Sequence, residues 1–233
     1  MCCVNQEDAQ EVANRYGVQG ALVVIPIGVE PSHFVGRSFD PGNETIAFFG
    51  NMSWGANVDA VSWLAEHALP FIWRRRPKAQ FRIIRQGSQD LPLHRADPRI
   101  QCMGRVPDVP EALRDVTVGV VPIVSGTGIR FKLLELLAMG IPTVTTFPGL
   151  AGTRSADGKQ CMVADSPCAF ADAVLLLLSN GALRVQLSEA SKESVASMEW
   201  KCIYPKILEA LAGTAAPGRS APVQPGSVVK TSW

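Results

Sequence analysis

Apolar residues along this chain fall into short runs separated by stretches with helical spacing. Runs at 46–49, 80–85 ("QFRIIR"), 99–104 ("RIQCMG"), 116–123 ("VTVGVVPI") and 141–146 ("IPTVTT") read as buried strands, with a last short one at "CMVAD". Between the first two runs, Val58, Val61, Leu64, Ala65, Leu69 and Ile72 recur at helical spacing, with Asn57 as N-cap and Pro77 as the stop. Asp108 followed by Glu111 reads as a capping box. Further helices are expected at 6–16, 167–179, 181–196 and 200–212. Strands and helices thus alternate from 45 to 165. That order predicts an α/β fold, a parallel sheet with helices on both faces, which binds ligands at the carboxyl ends of its strands.

The first residues are polar by Asn5 and do not form a signal peptide. "ALVVIPIGVEPSHF" (21–34) reads as a strand running into a turn. "VLLLLS" (174–179) is too short to span a bilayer and fits a buried helix. The Pro-, Gly- and Ser-rich end, 213–233, is expected to be disordered.

Composition narrows the function classes. Among 233 residues, 47% are apolar and 18% charged, enough for a sizeable core. A net charge of +1 gives no electrostatic drive toward nucleic acid or bulk membrane. The six cysteines form no CxxC pair and the three histidines lie apart from them, so reduced thiols in a cytoplasmic protein are expected rather than a zinc site. "RRR" at 74–76 complements the end of a helix dipole, the reading we prefer to a phosphate patch.

The chemistry concentrates in "GTGIRFKLLELLAMGIP" (126–142). Gly126 and Gly128 let the backbone approach a ligand. The helix that follows offers unpaired N–H groups, and Arg130 and Lys132 place two cations in its opening turn. Cations there oppose the helix dipole, and an anion such as a diphosphate would compensate them. Glu135 lies about one turn deeper, where a carboxylate would accept bonds from the two hydroxyls of a ribose. The competing reading is structural: Lys132 and Glu135 pair as i,i+3 neighbours on a solvated face. The glycine pattern matches neither GxGxxG nor GxxxxGK[ST].

The block "GTGIRFKLLELLAMGIPTVTT" resembles the nucleotide-sugar-binding segment of GT-B glycosyltransferases, the large retaining group called family 4 or group 1. Four further blocks resemble that family in order and spacing: "VVIPIGVEPSHF", "FFGNMSWGANVDAVSWLAEHALPFIWRRRPKAQFRII", "MGRVPDVPEALRDVTVGVVPI" and "MEWKCIYPKILEAL". The resemblance covers about residues 6–211. It implies the Rossmann-like C-terminal, donor-binding half of a GT-B fold. Its expected boundaries are 1–34 for the end of an N-terminal half and the linker, 35–212 for the nucleotide-sugar-binding domain, and 213–233 for the tail. It implies that Arg130 and Lys132 hold the diphosphate of a UDP- or GDP-sugar and Glu135 its ribose. Gly50 and Asn51 would lie beside the phosphates, Gly104 and Val106 beside the base, and Gly126, Thr127, Gly128 and Ile129 around the donor. The implied reaction is hexosyl transfer with retention, in polysaccharide biosynthesis, with no metal and no cofactor beyond the donor. The expected partners are the donor and a separate N-terminal half that binds the acceptor and provides any peripheral contact with a membrane. The alternative is a non-catalytic nucleotide-sugar-binding or interaction module.

Three positions depart from the family pattern. Arg85 stands where a Gly is usual after the second strand, Thr127 where many relatives carry a first Glu, and Ile27 where the linker turn usually has Asn. A large side chain at 85 is expected to narrow the loop near the ligand.

Overall fold

The computed structural model describes residues 2–18, 22–30, 42–125, 129–153, 155 and 157–215. The expected turn at 31–34, Gly126, Thr127 and Gly128, and the tail from 216 lie outside the described residues. The chain divides into two compact units, Met1–Gly28 with Met198–Trp233, and Val29–Ser197.

In the first unit, β1 (Cys2–Cys3) pairs in parallel with β2 (Val23–Val24). Helix α1 (Gln6–Tyr16) is capped by Asn5, whose side chain accepts from the Asp8 N–H at 2.6 Å, and it closes at Gly17 with φ +60°. β1 has no sequence signature, because two cysteines are too few to show alternation.

The second unit carries the sheet. Strands β3 (Thr45–Phe49), β4 (Gln80–Ile84), β5 (Ile100–Gly104), β6 (Val118–Val121), β7 (Thr143–Thr145) and β8 (Met162–Val163) form one parallel sheet in the order β5-β4-β3-β6-β7-β8. All five residues of β3 are buried, as expected of a strand covered on both faces. The expected α/β, Rossmann-like sheet is therefore what forms. Its order reverses between β3 and β6, and a crevice at such a switch point is where open α/β sheets bind ligands.

The helix after β3 differs from its expected form. It runs as α2 (Gly55–Trp63), a π turn over Leu64–Ala68, and α3 (Leu69–Arg75). Pro70 lacks the N–H that would bond back to Glu66, and its ring crowds that carbonyl. The wide turn absorbs the conflict, with the Leu69 N–H bonding to the Leu64 carbonyl. The apolar face shifts accordingly: Ala60, Val61, Leu64, Ala68, Leu69 and Ile72 are fully buried, whereas Val58 and Ala65 are half-buried. Asn57 is not the N-cap. Trp54 holds that place, and Asn57 sits inside the helix.

Arg74 and Arg75 lie in the last turn of α3, where the dipole reading puts them. Arg75 pairs with Asp172 at 2.5 Å, Arg76 with Glu44 at 2.8 Å, and Arg74 lies over Phe71. The short helix α4 (Leu93–Ala96) precedes β5, and Asp108 precedes α5 (Val109–Ala112) but makes no cap bond with its side chain. Pro110, at the second helical position, has no N–H to offer it, and Glu111 instead pairs with Arg114 at 2.7 Å.

Helices α7 (Pro167–Ser179) and α8 (Gly181–Val195) follow the sheet. Val174, Leu177 and Leu178 are buried, as the short apolar run requires. Buried Arg184 on α8 donates to the Leu177 and Leu178 carbonyls at 2.7 and 3.1 Å, satisfying the last turn of α7. Helix α9 (Trp200–Ala215), in the first unit, extends three residues past the expected 212. No single helix among the described residues is long and apolar enough to cross a membrane.

Candidate functional site

The site is built where β3, β4 and β6 end. After β6 the chain passes through 122–130 and enters α6 (Phe131–Ala138). Leu133, Leu134, Leu136, Leu137 and Ala138 are buried, which fixes the helix against the sheet and sets the direction of its polar residues. The helix ends in a Schellman motif. Gly140, at φ +65°, bonds to the Leu137 carbonyl and Ile141 to that of Leu136, both at 2.9 Å.

Arg130 is the residue preceding the helix rather than part of its first turn. Its backbone N–H bonds to the Ala151 carbonyl at 3.1 Å and its Nε to the Pro148 carbonyl at 3.2 Å. The start of the helix is also tighter than expected. The N–H of Phe131 bonds to the Ile129 carbonyl at 3.0 Å and that of Leu133 to the Arg130 carbonyl at 2.9 Å. Two donors that a free helix start would present to an anion are thus used internally, which leaves more of the attraction to the side chains.

Lys132 is the most constrained cation. Its Nζ donates to Asn57 Oδ1 and lies 4.2 Å from the centre of the Phe48 ring. Asn57 in turn donates through Nδ2 to the Asn51 carbonyl at 2.7 Å. The loop after β3 is thereby tied to α6 through one amide side chain. Burial pushes the Lys132 ammonium down to about 7, and the charges of Arg130 and Arg85 push the same way while Glu135 opposes them.

Glu135 pairs not with Lys132 but with Arg85, whose Nη2 is 3.7 Å from Oε1. The surface i,i+3 pair is therefore not the arrangement that forms. Burial raises the Glu135 carboxyl above its ordinary value, outweighing the opposing charges of Arg85 and Lys132.

Of the remaining described candidates, Gly50 and Gly104 touch this cluster. Gly50 is buried, and its N–H bonds to the Ile84 carbonyl at 3.0 Å. A Cβ at Gly50 would lie 2.9 Å from Asn57 Nδ2 and 3.1 Å from Lys132 Nζ. Both ends are held in the Lys132–Asn57–Asn51 hydrogen bonds, so Gly50→Ala is expected to cost about 1–3 kcal/mol in stability. It also crowds the Lys132–Asn57 hydrogen bond, and thermal melting of the variant checks the cost. Asn51 turns the loop by accepting from the Ser53 N–H at 3.0 Å. Gly104 takes φ +67° at the end of β5, accepts from the Arg85 N–H at 2.9 Å and donates to Ser88 Oγ at 2.8 Å. Val106 is half-buried before α5 and, among the described residues, makes no hydrogen bond or ion pair with the cluster. Ile129 is half-buried against Gly152, where a Cβ would come within 2.5 Å of its Cγ1. Among the described residues no three side chains converge as metal ligands. Asn57 and Arg85 are the members of the cluster that motif reading did not assign. Asn57 looks like a cap in sequence, and Arg85 shows only as a departure from a glycine.

A cationic, partly buried cluster at a topological switch point is suited to bind an anion with hydroxyls attached. A family model described as glycosyl transferases group 1 matches residues 43–180, more than half of the chain and all of this cluster. The chain belongs to the glycosyl transferases group 1. The group-1 match includes β3 through α7, and so both loops that build the site. Solved structures share the fold. A glycosyltransferase from Rickettsia africae superposes with a TM-score of 0.75 at 13% identity, covering 93% of this chain and 64% of that one. HepE from Anabaena, in complex with UDP-glucose, gives 0.72 at 12% identity over 91% of this chain and 63% of that one. TarM from S. aureus, in complex with fondaparinux, alpha-GlcNAc-glycerol and UDP, gives 0.71 at 14% identity over 89% and 43%. The chain thus spans less than two thirds of each of these structures. No curated protein matches the sequence.

Proposed function

We propose that this cluster is the donor site of a retaining glycosyltransferase that takes a UDP- or GDP-sugar. The observation that carries the reading is the placement of Lys132, Arg130 and Glu135 at the β3–β6 switch point, on a chain of the glycosyl transferases group 1. Arg130 and Lys132 are the diphosphate ligands, and Glu135 accepts the ribose hydroxyls. HepE, which shares the fold, was solved with UDP-glucose, and the donor class is brought here from that likeness.

The chemistry follows from charge. Breaking the anomeric bond leaves negative charge on the departing diphosphate. Two cations held in place stabilise it without reorganisation at the moment of reaction. Lys132 is well suited, because a buried ammonium near neutrality is fully charged only when an anion arrives. Transfer to an acceptor is then an activity of the whole protein, with the acceptor bound by surfaces outside this cluster.

Calorimetric titration with UDP, GDP and ADP tests the reading. One of the three is expected to bind, with Arg130→Ala and Glu135→Ala each weakening it about tenfold in chains that melt as the parent does. Unchanged affinity in both variants would remove the site from these residues.

A further inference from the structure

Arg85 is the only residue other than glycine with a positive φ among the described residues, at +98°. An L side chain is strained there, and such strain persists where surrounding structure imposes it, most often at functional sites. The strain is imposed from both sides. The Arg85 N–H is bonded to the Gly104 carbonyl, and the Arg85 carbonyl accepts from the Ser88 N–H at 3.3 Å. A glycine would adopt this backbone freely. The chain nonetheless places its longest cation at the carboxyl end of β4.

The guanidinium has a definite seat. Its Cζ lies 5.4 Å over the Phe49 ring, and Nη2 is 3.7 Å from Glu135 Oε1. Phe48 and Phe49 face opposite sides of β3, and Lys132 and Arg85 each stack on one of them. The two cations therefore flank the end of the central strand with Glu135 in reach of Arg85. The charged groups facing Glu135 are Arg85, from the loop after β4, and Lys132, from its own helix.

We propose that Arg85 is a positioning residue of the donor site, whose guanidinium holds the half-buried Glu135 side chain as a charged acceptor for ligand hydroxyls. This rests on the donor-site reading above. A neutral carboxylic acid at 135 would offer one acceptor and one donor. An ionised one accepts from two adjacent hydroxyls at once. Burial works against the ionised form, and Arg85 supplies the compensating charge from outside the helix. Strained backbone at 85 is then the cost of keeping that charge in place.

Two variants separate this role from mere obstruction. Arg85→Gly removes strain and charge together, and Arg85→Lys keeps both. The Glu135 carboxyl is followed by carbon-13 NMR across pH, and binding of UDP-glucose, or of GDP-glucose where GDP is the nucleotide the parent binds, by calorimetry on the same samples. Arg85→Gly is expected to melt no lower than the parent, to titrate Glu135 at a higher pH, and to bind that nucleotide sugar about tenfold more weakly at pH 6. The acid limb of binding moves up with the carboxyl, and Arg85→Lys restores most of both signals. An unmoved Glu135 titration in Arg85→Gly overturns the proposal, whatever the nucleotide sugar does. So does Arg85→Gly binding the nucleotide sugar as tightly as the parent with the acid limb in place. Failure of the parent chain to bind UDP, GDP and ADP overturns the donor-site reading instead, and it is read on a separate signal from the carboxyl titration.

Discussion

Lys132→Met is expected to weaken binding of the proposed nucleotide-sugar donor by about 10- to 100-fold, the range of one charge-assisted hydrogen bond to a phosphate. Methionine keeps the unbranched stem over Phe48 and deletes only the charge. Stability is expected to change little, because two effects oppose each other. Removing a buried ammonium relieves its desolvation, and leaving Asn57 Oδ1 without its donor costs about 1–3 kcal/mol. The loss is expected to exceed that of Arg130→Ala. The Arg130 guanidinium is already engaged with the Pro148 carbonyl, whereas Lys132 sits at the junction of both loops. Calorimetry and thermal melting of the variant check both parts. Retained affinity would place the diphosphate elsewhere.

Binding is also expected to depend on pH, with a bell shape whose alkaline limb starts near neutrality. In the free protein burial holds the Lys132 ammonium at about 7, well below its ordinary value of 10.5. A bound diphosphate raises it again. Below about 7 the lysine is charged with or without ligand, so affinity there is insensitive to this group. Above about 7 the free lysine has lost its proton and binding must take one up. Affinity then falls by as much as about tenfold per pH unit until the bound-state value is reached. The acid limb comes from Glu135, whose carboxyl burial raises, so protonation removes the diol acceptor at a higher pH than for an exposed glutamate. UDP-glucose is the ligand of choice, since its diphosphate carries no titratable proton in this range. Titrations in two buffers of different ionisation enthalpy count the proton directly. Affinity that is flat from pH 6 to 9 would contradict the role given to Lys132.

Both predictions turn on features that the sequence makes legible to different degrees. Buried strands announce themselves as apolar runs, and all six in the main sheet fall where the pattern puts them. Helix α7 has the expected bounds, 167–179, and the structure adds Ser166 as its cap. The π turn is less visible, because Pro70 signals a disturbance without saying whether the chain kinks, breaks or widens by one residue. Within the site, Arg130, Lys132 and Glu135 stand out because cations at a helix start contradict the dipole and ask for a reason. Asn57 does not stand out, since an asparagine before an apolar run is explained more simply as a cap. Its bridging role depends on the 75-residue separation from Lys132, which no local pattern encodes. Arg85 lies between these cases. Its position is conspicuous as a large residue in a glycine's place, and the structure adds the backbone angle and the carboxylate that give it meaning.

The most direct measurement is a crystal structure of the chain with UDP bound. The diphosphate is expected on the Arg130 and Lys132 side chains, beside Gly50, with both ribose hydroxyls on Glu135 and the Arg85 guanidinium still against that carboxylate. UDP seated away from the β3–β6 switch point, or with its ribose turned from Glu135, would contradict the account.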